Sequence, residues 1–203
     1  WSPGDGAGLR VCSTKCGRVG MLICDENTNP LARYTMMAEG EQVHISTYPP
    51  VRPSHGPSER TYDLAHAIRL RAGAHSFEAK AFNIVSSGFM DNAMFDFLAA
   101  LDSNAGKILE ASPRSVSLIT GPSGTPVSEE RCDEEGILYA ELDLSECVEP
   151  KQFHDVSGGY NRFDIFQLTV NRKSHRPIQF ASNSEREPQS EINESDEEST
   201  DSD

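Results

Sequence analysis

A short apolar run that ends in a cysteine and leads into a helix signal constrains this chain most. The run, Met21, Leu22 and Ile23, precedes Cys24 in the segment VGMLICDENTNPLARY. Polar residues then break the pattern until Pro30, after which apolar residues resume at helical spacing. Asn29 is a suitable N-cap, and proline is favoured at the first helical position. The segment therefore predicts a buried strand, a polar turn and a helix, with Cys24 at the junction.

Cys24 has two interpretations on spacing alone. A cysteine between a strand and a helix is well placed to be a nucleophile, because nearby backbone N–H groups stabilise a developing negative charge. A buried free cysteine also serves as a small apolar side chain with no chemical role. The spacing leaves both interpretations open.

Hydrophobic periodicity along the chain predicts an α/β layered fold, because strands alternate with helices before several late strands. Strands are predicted at residues 9–13, 17–24, 42–48, 82–87, 115–120, 137–144 and 163–170. Helices are predicted at residues 29–39, 62–80, 93–101 and 145–152, the second of them capped by Thr61.

Charge excludes some classes of function. The 203 residues carry a formal net charge of −14, and nine acids against one base lie in residues 184–203. This acidity argues against a nucleic-acid-binding protein, which needs a basic face. No apolar stretch reaches the length of a membrane span, so we expect no membrane partner. Residues 181–203 are rich in Ser, Glu and Asp and are predicted to be a disordered acidic tail.

The five cysteines are an odd number and do not resemble a disulfide framework. A reduced, cytoplasmic setting is the simpler interpretation. Cys12 and Cys16 have no second Cys or His pair nearby to complete a zinc site, so we expect no metal and no other cofactor. The chain starts at Trp1 and not at Met, which we interpret as a fragment, a processed product or an incomplete gene model.

Several long segments resemble the nitrilase family of the carbon–nitrogen hydrolase superfamily. They are VGMLICDENTNPLARYTMMAEGEQVHISTYPP, HSFEAKAFNIVSSGFMD, EGILYAELDL and GGYNRFDIF. ENTNPLARY and GEQVHI resemble the aliphatic nitrilase branch more than the cyanide-hydratase branch. The resemblance implies that residues 1–180 are the C-terminal part of a domain with a four-layer α-β-β-α sandwich. It also implies homo-oligomers, either dimers or spirals.

The resemblance implies hydrolysis of a small organic nitrile to a carboxylic acid and ammonia. Cys24 would be the nucleophile and would form a covalent thioimidate and then a thioester. The family's catalytic glutamates and lysine lie upstream of the segment that matches Trp1, so we expect them to be absent here. A catalytically incomplete fragment or a non-catalytic subunit is therefore the main alternative, and a cyanide hydratase or amidase relative is another.

Two acidic residues follow the cysteine. Asp25 departs from the family, in which this position is usually aromatic or small, and its carboxylate is expected to raise the thiol pKa. Its backbone N–H remains available as an oxyanion donor. Glu26 matches the family pattern, and we expect either a supporting role in the pocket or a structural ion pair.

Other groups could replace the absent catalytic residues. The candidates for a Cys–His pair are His44, His66 and His75. Lys80 is a candidate replacement lysine, although a position on the helix surface or an ion pair with Glu78 is the simpler expectation. Arg69 and Arg71 are expected in solvated or interface ion pairs.

Overall fold

A five-stranded mixed sheet is the centre of the fold. Its strands, in spatial order, are β1 (Cys12–Thr14), β2 (Gly17–Ile23), β3 (Val43–Tyr48), β4 (Phe82–Ser87) and β5 (Leu118–Thr120). β2, β3 and β4 run parallel, whereas β1 and β5 are antiparallel to their neighbours. The computed structural model describes residues 4–50, 63–110 and 113–174, with the backbone alone at 103–105.

Four helices lie between the strands in the described residues, and the first two connect parallel strands. They are α1 (Pro30–Ala38), α2 (Leu64–Ala79), α3 (Asn92–Leu101) and α4 (Ser103–Glu110). The described ranges also contain four short 3-10 turns, at Gly6–Gly8, Cys24–Thr28, Leu144–Cys147 and Glu149–Gln152. The Asn29 side chain accepts a hydrogen bond from the Leu31 amide at 2.9 Å, and Pro30 takes the first position of α1. The predicted cap and proline start of this helix are therefore confirmed.

The core lies between one face of the sheet and helices α1 and α2. One apolar cluster packs α2 against β3, β4 and β5. A second cluster packs Met36 of α1 on Leu22 of β2. Side chains on the opposite face of the sheet are more exposed to solvent; Met21, for example, is 52% exposed. The sheet and its two helices therefore form one helix layer on one sheet layer.

The α/β class is confirmed, and the predicted strands at residues 17–24, 42–48 and 82–87 are observed as β2, β3 and β4. The strand predicted at residues 82–87 has the observed bounds, and those predicted at 17–24 and 42–48 each begin or end one residue away. The helix predicted from residue 62 begins at Leu64, and its cap is Asp63, whose side chain accepts a hydrogen bond from the His66 amide. Thr61 and the acidic tail lie outside the described residues.

Two predicted strands and one predicted helix are wrong. Residues 137–144 and 163–170 form no strand, and Tyr139 and Phe163 are 82% and 71% exposed. An alternating pattern produces a strand only where a neighbouring strand pairs with it, which the pattern itself does not reveal. Residues 145–152 form parts of two 3-10 turns and not a helix, and α4 was not predicted.

Candidate active site

Cys24 lies where the parallel strand β2 ends. It is the first residue of the 3-10 turn Cys24–Thr28, and its φ of +49° is left-handed. This conformation is costly for residues other than glycine and is often found at functional sites. The half-buried side chain packs against the larger apolar cluster, as those of Leu64 and Cys132 also do. The backbone thus presents the thiol beyond the carboxyl end of a parallel strand, where α/β folds place their sites.

Two side chains of the turn hold its backbone. Glu26 Oε2 accepts a hydrogen bond from the Ile23 amide at 2.8 Å. Asn27 is buried, and its side-chain amide donates to the carbonyls of Leu22 at 3.0 Å and Cys24 at 3.1 Å. The Glu26 side chain thus contacts the backbone of the turn, and the pocket role or ion pair expected from the sequence stays a prediction.

Neighbouring charges act on the thiol. Burial raises the pKa of Cys24, and the adjacent Asp25 carboxylate raises this pKa further. The Asp25 backbone amide and the Arg71 guanidinium oppose the rise without reversing it. The sequence predicts that the Asp25 carboxylate raises the thiol pKa, and its effect on Cys24 in the structure has this direction. At neutral pH the described surroundings favour the neutral thiol over the thiolate.

Arg71 is the cation of this site. Its Nη1 lies 3.3 Å from Asp25 Oδ1, and its side chain is 14% exposed against 84% for that of Asp25. The Arg71 charge also acts on the buried Tyr48, whose pKa is raised by burial. Arg71 is thus mostly enclosed beside the thiol, but its pair with the exposed Asp25 carboxylate is open to solvent, as the sequence suggested.

A buried polar cluster lies behind the turn. Glu41 accepts contacts through both carboxylate oxygens, from His44 Nδ1 at 2.8 Å and from His75 Nε2 at 2.5 Å. His44 Nε2 lies 3.0 Å from Asn27 Oδ1. Ser46 Oγ also lies 3.0 Å from this Asn27 oxygen. The five side chains are 2% exposed or less, so the cluster is sealed from solvent.

The same cluster is the group of His, Cys, Asp and Glu side chains in the described ranges with the spacing of a metal site. Its three ligand atoms, from Glu41, His44 and His75, lie within 4.8 Å of one another. These atoms are also hydrogen-bonded to one another at 2.5 and 2.8 Å. We therefore describe the cluster as a hydrogen-bonded network.

Several predicted substitutes for catalytic residues lie elsewhere. His66 is exposed on α2, and both ring nitrogens of His44 are bonded to partners other than Cys24. Lys80 is neither on the helix surface nor paired with Glu78. It is buried at the left-handed end of α2, with Nζ 3.5 Å from the Phe77 ring centroid. Burial lowers the pKa of Lys80, and Glu78 pairs with Arg33 at 2.5 Å.

Sequence reasoning missed Asn27 and Glu41. A signal was available at Glu41, since an acid three residues before a histidine at the start of an apolar strand indicates a buried polar pair. No local pattern connects Asn27 with His44, because their contact depends on the register between β2 and β3.

A family model described as "Carbon-nitrogen hydrolase" matches residues 1–152, well over half of the chain. The chain belongs to the carbon–nitrogen hydrolase family. Curated relatives include a nitrilase from Penicillium rubens, 32% identical over 190 residues, which cover 92% of this chain and 57% of that protein. An aliphatic nitrilase from Rhodococcus rhodochrous is 30% identical over 186 residues, covering 89% of this chain and 46% of that protein. This carbon–nitrogen hydrolase chain spans about half the length of the curated relatives that it matches.

Solved structures of family members share the fold. A carbon–nitrogen hydrolase from Helicobacter pylori G27 matches with a TM-score of 0.56 and 20% identity, over 75% of this chain and 48% of that one. The NitFhit protein of C. elegans matches with a TM-score of 0.58 and 20% identity, over 83% of this chain and 35% of that one. The expected carbon–nitrogen hydrolase fold is therefore confirmed. Among the described helices, none combines the length and apolar character needed to cross a membrane.

Proposed function

We propose that this chain is part of a nitrilase that hydrolyses an aliphatic or arylaliphatic nitrile to a carboxylic acid and ammonia, with Cys24 as the nucleophile. The observation that carries the proposal is the position of Cys24. It occupies a left-handed turn at the end of a parallel strand, in a chain about 30% identical to proteins named nitrilases. A buried structural cysteine does not need this strained conformation.

The proposed reaction has three steps. The Cys24 thiolate attacks the nitrile carbon, an S–C bond forms, and the nitrogen takes up a proton to give a thioimidate. Water then adds to the thioimidate carbon, ammonia leaves, and a thioester remains. A second water releases the carboxylic acid and restores the thiol. The overall balance is one nitrile and two waters to one acid and one ammonia.

The described residues supply part of what this reaction needs. The Asp25 backbone amide and the Arg71 guanidinium both favour negative charge on Cys24. A thiol with a raised pKa still needs a base, since only the thiolate attacks. By resemblance, the family's glutamates and lysine belong to the part of the relatives that this chain does not match. They would supply the base and the proton donor.

The test is ammonia release from a panel of aliphatic and arylaliphatic nitriles by the product of the complete reading frame. Cys24→Ala should abolish release, whereas the matched control Cys12→Ala should retain it, because Cys12 is an exposed thiol outside the site. Mass spectrometry after rapid acid quench should find the substrate's acyl group on Cys24. If no nitrile in the panel yields ammonia, the proposed function is wrong.

A non-catalytic subunit is the second candidate. The raised pKa of Cys24 favours it, because Asp25 opposes the thiolate that catalysis requires. Such a subunit should co-purify with an intact homologue from its source. A protein that releases ammonia on its own would exclude this candidate.

We also propose a homo-oligomer, either a dimer or a spiral, and a reducing cytoplasmic setting. The second proposal is supported by the five free thiols of the chain. The ratio of acid to amide formed from a nitrile distinguishes a nitrilase from a cyanide hydratase relative. Ammonia release from an amide and not from the nitrile would indicate an amidase relative.

A further inference from the structure

The buried network of Glu41, His44, His75 and Asn27 plays no part in the proposed reaction, yet it ends on the backbone of the nucleophile. Asn27 connects the histidines to Cys24, because its side-chain amide donates to the Cys24 carbonyl while its side-chain oxygen faces His44. A fully buried polar network is costly unless each group is satisfied. Its protons can therefore be assigned from the hydrogen bonds.

The direction of the chain of hydrogen bonds is fixed by Asn27. Its Nδ2 donates to the carbonyls of Leu22 and Cys24, so its Oδ1 is an acceptor. His44 Nε2 must then carry a proton and donate it to Asn27 Oδ1. The other nitrogen of the same ring, Nδ1, faces Glu41 Oε2 at 2.8 Å.

Three contacts now each require one proton: Asn27 with His44, His44 with Glu41, and Glu41 with His75. A carboxylate and two neutral imidazoles carry only two protons. The network therefore holds one more proton and has a net charge of zero, which avoids an unpaired buried charge. His75 Nδ1 is buried without a hydrogen-bond partner among the described residues. A neutral His75 leaves no N–H unsatisfied there, so the additional proton belongs between His44 and Glu41. Burial raises the pKa of Glu41, but the hydrogen bonds from both histidines outweigh it and lower this pKa, so Glu41 is the carboxylate and His44 carries the additional proton.

The elements packed around the network bring few other charges to it. On α1, Arg33 acts on His75, and Glu78 of α2 pairs with Arg33 at 2.5 Å. β3 and β4 contribute the neutral Ser46 and Asn83. β2 contributes Gly20, at which a Cβ would lie 2.3 Å from Glu41 Oε2. The carboxylate is thus packed directly against the strand that ends in Cys24.

We propose that Glu41, His44 and His75 are positioning residues that share one additional proton and thereby hold the Asn27 amide on the Cys24 carbonyl. The network sets the left-handed geometry of the nucleophile from inside the protein. This inference rests on the proposed function only in that Cys24 is the reacting group.

The first experiment is nitrogen NMR on the product of the complete reading frame, labelled with ¹⁵N-histidine, at about pH 8. His44 should give the signals of an imidazolium. In Glu41→Gln, the amide can donate to His44 Nδ1 and accept from His75 Nε2, so all three contacts persist without the additional proton. His44 should then become a neutral Nε2–H tautomer. Glu129→Gln, an exposed carboxylate elsewhere, should leave the His44 signals unchanged.

The second experiment measures the rate at which iodoacetamide alkylates Cys24. Glu41→Ala and Asn27→Asp should both slow alkylation and lower kcat, by up to about a hundredfold, while KM changes little. Asn27→Asp still accepts from His44 but cannot donate to Cys24, so it tests the contact without opening a cavity. Glu41→Gln should restore most of the rate that Glu41→Ala loses.

The proposal is overturned if His44 is neutral in the native protein at about pH 8, or if Asn27→Asp alkylates and turns over like the native protein. Neither the NMR nor the alkylation measurement requires a nitrile. Expected results in both, without ammonia release, would therefore refute the nitrilase function and leave the positioning network established.

Discussion

The side-chain amide of Asn27 donates a hydrogen bond of 3.1 Å to the backbone carbonyl of Cys24. The two residues belong to the same 3-10 turn, but the rest of the Asn27 side chain faces His44 of the adjacent strand. The conformation of the reactive residue is therefore coupled to the interior of the sheet as well as to its own loop. Substitutions inside the sheet should change thiol chemistry without touching the thiol.

Asp25→Asn should make Cys24 more reactive. After burial, the Asp25 carboxylate is the main cause of the raised Cys24 pKa, so its removal lowers this pKa and increases the thiolate fraction. The Asp25 side chain is 84% exposed, so solvent screens its charge, and we expect alkylation at about pH 7.5 to accelerate only about two- to fivefold. The measurement is iodoacetamide modification of Cys24, followed by peptide mass spectrometry.

Arg71→Met should make Cys24 less reactive, which is the opposite of the effect expected for Asp25→Asn, and Asp96→Asn is the control. Loss of the Arg71 charge should raise the Cys24 pKa further and slow alkylation. Asp96 is exposed on α3, so its amide variant should react like the native protein. Equal rates in Asp25→Asn and native protein would show that the carboxylate does not act on the thiol.

His75 should make the protein lose stability on acidification. Burial lowers the pKa of His75, so the unfolded state binds a proton at a higher pH than the folded state does. Stability from this residue is therefore present above the unfolded pKa of about 6.5 and is lost as pH falls below it, by up to about 1.4 kcal/mol per pH unit. Hydrogen bonds from both histidines outweigh burial and lower the pKa of Glu41, so its contribution is also lost in acid, below an unfolded pKa of about 4.3.

Denaturant unfolding between about pH 7.5 and pH 5 measures this loss. His75→Gln keeps a side-chain N–H that can donate to Glu41 but cannot titrate, so its stability should fall less over this range. His66→Gln replaces an exposed histidine of the same helix and should follow the native curve. Parallel curves for all three proteins would contradict the prediction.

Gly20→Ala should destabilise the fold. The new Cβ would lie 2.3 Å from Glu41 Oε2 and 3.3 Å from Met36 Sδ, and both partners are fully packed. Overpacking of this kind costs about 1–3 kcal/mol in the free energy of unfolding. Gly8→Ala is the matched control, because no atom lies within 4 Å of its added Cβ. A Gly20→Ala protein as stable as the control would show that Glu41 moves aside at no cost.

Local signals predicted much of what positions Cys24. The apolar run, the Asn29 cap and Pro30 lie next to one another in sequence and are observed together as strand, turn and helix. Such features depend on backbone preferences and short-range hydrogen bonds, so periodicity and residue type are sufficient. The prediction was wrong at residues 163–170, where an apolar pattern has no strand beside it.

The partners of the buried network could not be predicted in this way. Glu41 reaches His75 across 34 positions of sequence, and the contact requires α2 to pack over β3. Arg71 and Asp25 are similarly 46 positions apart. The sequence placed His75 and Arg71 in a predicted helix, but only the packing of that helix pairs them with Glu41 and Asp25.

Cys132 should be the slowest of the described cysteines outside the active site to react at mildly alkaline pH, together with the buried Cys147. Burial, followed by the Glu130 carboxylate 2.7 Å from Sγ, raises the pKa of Cys132 to about 11. Its thiolate fraction at about pH 8 is therefore very small, and alkylation should lag well behind that of the exposed Cys12 and Cys16.

Glu130→Gln removes the opposing charge and leaves Arg69, whose Nη2 lies 3.5 Å from Cys132 Sγ, to favour the thiolate. Alkylation of Cys132 should therefore be about tenfold faster in Glu130→Gln than in the native protein. Glu134→Gln breaks a separate pair with Arg131 and should not change the rate of Cys132 alkylation. Cys132 modified as fast as Cys12 in the native protein would show that the Glu130 contact does not hold the thiol neutral.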